Sequence, residues 1–414
     1  MKTDNTIVPA IVVVGYNRPD SLRRLLLSIA EADYNRQDIP LIISIDFAPD
    51  NAGVITIANK FEWKFGTKIV RTYDHNIGLR SHVLACGDLS EQYGGVLILE
   101  DDIVVSPAFY HYAEQAMNFY QNSPSVAGIA LYSHDWNGYA REHFQPLYNG
   151  YDAYFGQFSV TWGQGWTQGQ WKKFRAWYSA QKTELLDRSD VPVMVNHWGT
   201  NSWGKFFVHY ILEYNRFYVM PYHAVATCFA DAGENIKNAT MDQQTNLSWK
   251  SDLKYRFPSS GQAVHYDLFF ENMDLPGFLD HIVGASDCVV TGSKNMKSKV
   301  LIDLYELHVG SIKCDVLLTC RKMNLPEIAS YGMLMRPIEN NVLHQIEGNG
   351  IHLYRVPNGV VHLKQKKKIT YPELNYAAQG MPWQNALKYG FIRFYHGGVM
   401  CARAFMKHFF KGIR

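Results

Sequence analysis

The amino-acid sequence predicts an α/β fold in which a doubly wound, mostly parallel sheet carries helices on both faces. Up to about residue 135, short apolar runs rich in β-branched residues alternate with segments of helical periodicity. This alternation is typical of strands that are buried on both faces and joined by crossover helices. Beyond about residue 275 the runs become short and strand-like, which predicts a smaller α+β region after the main sheet.

Five strands are predicted in the first part of the chain, with helices between them. The strands cover residues 7–14, 41–45, 67–72, 96–99 and 126–132. The first helix should begin at Asp20 as its N-cap and bury an apolar face that includes Leu22 and Ile29. Further helices should run to about residue 64, over 78–92, and from Pro107. In the later region, strands are predicted over 299–307, 315–320 and 350–356.

The length and composition predict more than one folded domain. The chain has 414 residues, of which 47% are hydrophobic and 19% charged, so a folded protein is expected rather than a disordered one. We expect a main domain over 1–275, with halves 1–140 and 141–275, an accessory α+β domain over 276–370, and a tail over 371–414. The net charge of +2 gives no reason to expect a nucleic-acid partner.

The tail mixes aromatic and basic residues, which predicts a basic amphipathic helix. Such a helix would lie on an anionic membrane surface, or it would pack on the protein itself. The first residues lack the order of a secretory signal, and no cysteine pair has C-x-x-C spacing. We therefore expect a cytoplasmic protein, with peripheral contact at the inner face of the cytoplasmic membrane.

Polar residues follow four of the predicted strands at the point where each strand ends. They are Asn17 and Arg18, Asp46, Asp74 and His75, and the triplet Glu100, Asp101 and Asp102. Ligands of open parallel sheets bind outside the carboxyl ends of the strands. The four clusters therefore predict one ligand-binding crevice.

The acidic triplet suits a divalent cation, because Mg²⁺ and Mn²⁺ take one or two carboxylates and fill their shells with phosphate oxygens and water. A cation there would stabilise a departing diphosphate. Arg18 would neutralise phosphate, and Asp46 would accept hydrogen bonds from a base or ribose. Each of these residues also has a purely structural alternative. The triplet would then be a solvated acidic turn, Arg18 a surface arginine, and Asp46 a turn or capping aspartate. A lone histidine such as His75 is more often structural than ligand-binding.

Five stretches carry a resemblance to a known fold family. They are IVVVGYNRP (11–19), IISID (42–46), DHNIGL (74–79), VLILEDDIVVSPAFYHY (96–112) and HDWNG (134–138). They resemble the GT-A glycosyltransferases, most closely the family of alpha-mannoside beta-1,2-N-acetylglucosaminyltransferase I and bacterial family 2 polysaccharide glycosyltransferases. The resemblance covers about residues 7–140 well and 150–240 loosely, and it implies a GT-A-like fold.

The resemblance also implies roles for individual residues. Asp102 would bind the metal, Glu100 the donor sugar, and Asp101 the ribose. Asp46 would bind the base of the nucleotide, with Arg18 and His75 nearby. The implied reaction is an inverting transfer of a hexosyl or N-acetylhexosaminyl group from a nucleotide sugar, with UDP favoured. The lack of a signal segment and the basic tail add the expectation of a glycan or lipid-linked saccharide acceptor, in bacterial surface polysaccharide synthesis such as capsule or O-antigen.

The sequence departs from the family where the catalytic base is expected. The nearest match to the family's Trp-Asp-Asp-Trp-like segment is WGTNSW (198–203), which contains no acid. Asn and Ser do not act as ordinary general bases at neutral pH. The base is therefore predicted at Asp231 or Glu234, with Asp135 and then His197 as weaker alternatives.

Two other functions stay open at this stage. A sugar nucleotidyltransferase would also use a metal and acids, but it should have a Gly-rich basic loop after the first strand, and GYNR (15–18) has one glycine and one cation. A non-catalytic nucleotide- or glycan-binding protein on a transferase fold would fit the missing acids at 199–202. The complete Glu100-Asp101-Asp102 triplet favours an enzyme.

Overall fold

A computed structural model describes residues 6–158, 160–181, 185–229, 231, 243–249, 252–283, 300–365, 381–382, 384–392 and 395. The chain forms two compact units, Met1–Gln365 and Lys366–Arg414. In the second unit, residues 384–392 are helical. Most of the predicted basic tail lies outside the described residues, so its membrane contact stays a prediction. Among the helices that are described, none has both the length and the apolar character to cross a bilayer.

The first unit is built on a large mixed sheet. Its strands and the neighbouring short strands are β1 (Ala10–Gly15), β2 (Leu41–Ile45), β3 (Lys68–Thr72), β4 (Gly95–Glu100), β5 (Ile103–Val105), β6 (Val126–Ala130), β7 (Trp136–Asn137), β8 (Glu142–His143), β9 (Ala153–Gly156), β10 (Gln164–Thr167), β11 (Phe217–Pro221), β12 (Ala226–Cys228) and β13 (His265–Tyr266). Within the described residues, nine of them form one sheet in the order β13-β9-β11-β6-β10-β4-β1-β2-β3. β1, β2, β3 and β4 are parallel to one another.

Helices cover both faces of this sheet. The helices of the first unit are α1 (Pro19–Ala30), α2 (Ala52–Lys60), α3 (Leu79–Gly87), α4 (Ser90–Tyr93), α5 (Phe109–Tyr120), α6 (Gln168–Ser179), α7 (Val193–Asn196), α8 (Trp203–Glu213), α9 (Leu275–Val283) and α10 (Asn340–Leu343). In β1, Ile11 and Val13 pack in the core that contains α1, α2 and α5. The alternate residues Ala10 and Val12 pack in the core that contains α3, α6 and α8. The predicted mostly parallel sheet with helices on both faces is therefore confirmed.

Three predicted helix boundaries were wrong. Arg18, not Asp20, is the N-cap of α1, because Pro19 opens the helix and its fixed φ suits the first helical position. The second helix ends at Lys60 rather than near residue 64, since Phe61 is extended. The helix predicted over 78–92 is two helices, α3 and α4.

The order of strands beyond β4 was not predicted. β10 lies between β4 and β6 and runs antiparallel to both. Two glycines make this close packing possible. A Cβ at Gly165 would lie 2.4 Å from the Met117 side chain, and one at Gly128 would lie 2.6 Å from the Trp166 ring. The buried Trp166 is thus part of the core.

The later region has sheets of its own. Its strands are β14 (Val300–Asp303), β15 (Gly310–Lys313), β16 (Val316–Thr319), β17 (Glu327–Tyr331), β18 (Ile351–Arg355) and β19 (Val360–Leu363). Four of them form the order β14-β16-β18-β17, and β15 pairs with β19. Apolar residues of these strands form two core clusters, one of which also contains residues of α9 and α10. The domain boundary at residue 275 stays a prediction, because the two compact units divide at residue 365.

Buried charges lie where this region meets the main sheet. The Asp303 carboxylate contacts His308 Nδ1 at 3.0 Å and accepts a hydrogen bond from Arg321 Nε at 2.8 Å. Burial raises the pKa of Asp267 to about 6, although the nearby His308 ring and two backbone N–H groups act in the opposite direction. Burial, together with Asp303 and Asp267, also raises the pKa of Glu271 well above its ordinary value.

The Asp267→Asn variant should become more stable relative to wild type as pH rises. The pKa of Asp267 is raised from 3.8 to about 6. Ionisation of Asp267 therefore destabilises the folded wild type, and this destabilisation is absent below pH 3.8 and complete above pH 6. The free energy of unfolding of the variant, relative to that of the wild type, should increase by about 1 kcal/mol between pH 5 and pH 7.5. Urea unfolding at both pH values measures this change.

Asp38→Asn is the matched control. The hydrogen bond from Arg36 lowers the pKa of the exposed Asp38, so the contribution of that carboxylate is complete above its ordinary pKa and the relative stability of the variant should stay constant between pH 5 and pH 7.5. If the stability of Asp267→Asn relative to the wild type stayed constant or fell as pH rose, the claim that the ionised Asp267 destabilises the fold would be contradicted.

Candidate active site

The predicted polar clusters meet at the carboxyl edge of the parallel strands. β1 lies between β2 and β4 in the sheet, so the residues after these three strands are neighbours. Arg18 follows β1 at the N-cap of α1, Asp46 follows β2, and Glu100 ends β4. The structure therefore brings Arg18 onto the acidic triplet, which we call the acidic tip (Glu100, Asp101 and Asp102).

Arg18 binds two carboxylates of the acidic tip. Its Nη2 donates a hydrogen bond to Asp101 Oδ1 and lies 3.3 Å from Asp102 Oδ2. The Asp101 side chain is buried, whereas those of Arg18 and Asp102 are 25% and 24% exposed. Asp102 is thus the carboxylate of the tip that lies close to the guanidinium and is also partly exposed to solvent.

The acidic tip holds more negative charge than Arg18 balances. Burial raises the pKa of Glu100 well above its ordinary value, and the Asp102 and Asp101 charges raise it further. Burial also raises the pKa of Asp101 to about 6, with Arg18 acting in the opposite direction. Glu100 Oε1 and Asp101 Oδ2 are buried without a hydrogen-bond partner among the described residues. A second cation would reduce the electrostatic repulsion among these carboxylates.

The donor set fits a hard divalent cation. The two carboxylate oxygens without partners and the accessible Asp102 are oxygen ligands of the kind that Mg²⁺ and Mn²⁺ prefer. In the described part of the chain, no group of three or more His, Cys, Asp or Glu side chains is arranged to hold a metal ion. The tip thus suits a cation that takes one or two protein ligands and completes its shell from a diphosphate and water.

Asp46 holds the loop that follows β3. It is buried, its Oδ1 accepts hydrogen bonds from the backbone N–H groups of Phe47 at 2.8 Å and Ile77 at 3.0 Å, and its Oδ2 accepts one from Gly78 at 3.0 Å. Such charge-assisted bonds fix a loop firmly. The contact with a nucleotide base that the sequence suggests for Asp46 stays a prediction.

His75 lies on that same loop, on its exposed side. Its Nδ1 lies 2.6 Å from Asp74 Oδ1, and its side chain is 75% exposed. Asn76 donates to the carbonyl of Phe47 at 3.0 Å, so the loop is fastened at the end of β2. The structure therefore places His75 on an exposed loop after the edge strand β3, and its role in nucleotide binding stays a prediction.

One side of α1 connects the acidic tip to Asp231. The Asp231 carboxylate accepts a hydrogen bond from Ser21 Oγ at 2.6 Å and one from Arg24 Nη2. The chain leading to it pairs with the tip as well, since the Phe229 backbone N–H donates to the Asp102 carbonyl at 2.7 Å. The Arg24 guanidinium lies 3.5 Å from the centre of the Phe229 ring.

The other predicted bases are in different positions. Asp135 follows β6 and accepts a hydrogen bond from Thr245 Oγ1 at 2.5 Å. Burial raises the pKa of Asp135, and the Thr245 hydroxyl acts in the opposite direction. His197 is exposed and follows α7. Glu234 lies outside the described residues.

The segment compared with the family's base region forms the start of a helix. Ser202 is the N-cap of α8 and accepts a hydrogen bond from the Lys205 N–H at 3.3 Å, and Trp203 is buried in the core. Sequence reasoning missed Ser21 and Arg24. Their spacing from Arg18 was the available signal, because residues three apart lie on one side of a helix.

No protein-family model matches the chain, and no curated protein sequence matches it. Solved structures give distant matches. S. aureus TarS 1-349 in complex with UDP-GlcNAc is 13% identical, with 56% of this chain and 61% of that chain covered and a TM-score of 0.37. Its complex with UDP is 12% identical, with 53% and 59% covered and a TM-score of 0.34.

A mannosyltransferase from Pyrobaculum calidifontis in complex with GDP-Man and Mn²⁺ is 13% identical, with 42% of this chain and 47% of that chain covered and a TM-score of 0.27. The chain thus spans less than two thirds of each of these proteins. Similarities this distant leave the assignment of function to the geometry of the present chain.

Proposed function

We propose that this chain is a metal-dependent, inverting glycosyltransferase that uses a nucleotide sugar as donor. The observation that carries the proposal is the acidic tip, which stands at the carboxyl edge of the parallel strands beside Arg18. Two of its buried carboxylate oxygens have no hydrogen-bond partner among the residues that the structure describes. Excess negative charge at that edge, next to a guanidinium, suits a cation together with the diphosphate of a nucleotide.

In this proposal the tip and Arg18 act on the leaving group. Asp102 would hold Mn²⁺ or Mg²⁺, which supplies Lewis-acid stabilisation of the departing diphosphate. Arg18, tied to Asp101 and close to Asp102, is positioned to neutralise phosphate oxygens with its remaining N–H groups. Burial of Glu100 and Asp101 keeps the local dielectric constant low, which strengthens these interactions.

The other roles belong to the same edge of the sheet. Asp101 would contact the ribose, Glu100 the donor sugar, and Asp46 the base, with His75 nearby. Asp46 fastens the loop after β3, so it would also fix the backbone that surrounds the base. UDP is the favoured nucleotide, and a hexosyl or N-acetylhexosaminyl group the favoured sugar.

The acceptor hydroxyl needs a base on the face opposite the diphosphate. We propose Asp231 or Glu234 for this role. The Asp231 carboxylate accepts hydrogen bonds from Ser21 and Arg24 of α1. The backbone two residues before Asp231 is hydrogen-bonded to the Asp102 carbonyl, so Asp231 lies near the tip. Asp135 is the alternative, since burial raises its pKa and a base whose pKa is nearer the working pH is more effective.

The proposed setting is bacterial surface polysaccharide synthesis, with a glycan or lipid-linked acceptor at the inner face of the cytoplasmic membrane. A second candidate function is a non-catalytic nucleotide- or glycan-binding protein. One observation favours it: the segment at 198–203 is a helix start without an acid. The two candidates differ in turnover and not in binding.

Radiolabelled nucleotide sugars distinguish them. The full chain is incubated with UDP-GlcNAc, UDP-glucose or GDP-mannose, with Mn²⁺, with Mg²⁺, or with EDTA. Metal-dependent transfer to an added saccharide, or slow hydrolysis to the free sugar, is the expected result. Stabilisation of the fold by a nucleotide sugar without release of labelled sugar under any metal would favour the binding protein instead.

A further inference from the structure

A cavity of about 300 Å³ lies at the opposite edge of the main sheet from the acidic tip. Gln157 and Asp267 line it and directly follow β9 and β13. β9 and β13 are parallel to each other, and β9 runs antiparallel to β11. β11 is parallel to β6, and β10 is antiparallel to both β6 and β4, so β11 runs in the same direction as β4. β9 and β13 therefore run opposite to β4. Since β4 has six residues, the cavity is about 20 Å from Glu100 along the strand direction.

Two parts of the first unit enclose this cavity. Leu212 of α8 and the residues after β9 and β13 come from the main sheet region. Residues 308–313, which include β15, come from the later region, as does Leu301 of β14. The His308 ring stacks on Phe269 with centroids 4.0 Å apart, so the two sides are packed together. The cavity is therefore preformed, as ligand-binding pockets usually are.

Among the described residues, one buried polar atom in the lining lacks a hydrogen-bond partner. Gln157 is fully buried, and its Nε2 donates to Asn215 Oδ1 at 3.1 Å. Its Oε1 accepts no hydrogen bond from the described residues. A buried amide oxygen without a donor costs free energy. A ligand that donates a hydrogen bond to it would remove that cost.

The remaining lining offers both donors and acceptors with little net charge. Asp190 and Asp267 supply carboxylates, Lys313 an ammonium, and Ser189 a hydroxyl. Arg188 is bound to Asp190 at 2.5 Å, so cations and carboxylates balance. Apolar side chains complete the wall, among them Leu212, Leu268 and Phe269. Hydroxyl groups, which donate and accept at once, on a ring with apolar C–H faces match this lining better than a phosphate or a metal ion.

We propose that this cavity binds a saccharide of one or two sugar units, at a site separate from the acidic tip. The proposal does not depend on catalysis at the tip. A bound glycan would contact the main sheet region through Gln157 and the later region through Lys313, and would strengthen the contact between them.

Saturation-transfer NMR with four free sugars tests this. Glucose, N-acetylglucosamine, cellobiose and chitobiose are titrated into the wild-type full chain and two variants. Ser189→Trp adds a bulky ring at an exposed position of the lining and should leave the fold intact. Gln157→Met removes the amide at similar volume. Each should weaken binding of at least one sugar about tenfold or more.

Gln121→Met is the matched control, because Gln121 stands at the end of α5 and does not line the cavity; its binding should equal that of wild type. Absence of binding by all four sugars would overturn the proposal. So would binding that Ser189→Trp leaves unchanged, because that result would place the saccharide elsewhere, including an acceptor site near the tip.

Discussion

Replacing Asp102 with asparagine should lower the rate of sugar transfer by about 10³-fold or more, which corresponds to about 4 kcal/mol of lost transition-state stabilisation. Asp102 is the member of the acidic tip that is both close to Arg18 and partly exposed, so it is the carboxylate placed to hold a cation against a diphosphate. Asparagine keeps the shape but lacks the charge. Steady-state rates with a labelled nucleotide sugar and saturating Mn²⁺ measure the effect.

Asp38→Asn is the control, since Asp38 is also paired with an arginine but is 65% exposed and follows α1 rather than β4. It should transfer sugar at the wild-type rate. An Asp102→Asn protein that is folded, as judged by its thermal unfolding, and within about threefold of the wild-type rate would contradict the proposed role of the tip, because one catalytic metal interaction is worth several kcal/mol.

The second large effect concerns the base. Asp231→Asn should lower kcat about 10²- to 10⁴-fold, the usual contribution of a general base. Asparagine retains an oxygen that can accept the hydrogen bonds from Ser21 and Arg24, so the loss should come from the missing proton acceptor. Because the change affects the chemical step, KM for the nucleotide sugar should stay near the wild-type value.

Asp135→Asn is the competing variant and should retain most of the activity. Its partner, the Thr245 hydroxyl, can donate to an asparagine oxygen as well. A large loss at Asp135 with little effect at Asp231 would reverse the assignment. Small effects at both positions would direct the assignment to Glu234, and Glu234→Gln should then show the loss.

The sequence predicted the half of the fold that carries the acidic tip. The first four strands were located to within a few residues. β1, β2 and β4 are buried on both faces, which imposes a continuous apolar pattern, whereas β3 is the partly exposed edge strand. The meeting of Arg18 with Asp101 and Asp102 followed from the same pattern, since carboxyl ends of parallel strands share one edge.

The rest depends on contacts that no local pattern encodes. The insertion of β10 between β4 and β6 is set by the close packing of Gly165 and Gly128 against neighbouring side chains. Likewise, the hydrogen bonds from Ser21 and Arg24 to Asp231 connect residues about 200 positions apart in the sequence. The cavity lined by Gln157 and Lys313 forms only when the later region packs on the main sheet.

The most direct test of the central claim is calorimetric titration of UDP into wild type and Asp102→Asn, each with Mn²⁺ and with EDTA. The account predicts that Mn²⁺ tightens UDP binding to the wild type about tenfold or more, that UDP tightens Mn²⁺ binding by the same factor, and that the variant loses this coupling. Equal enhancement by Mn²⁺ in both proteins, or UDP binding to the wild type that is indifferent to metal, would contradict it.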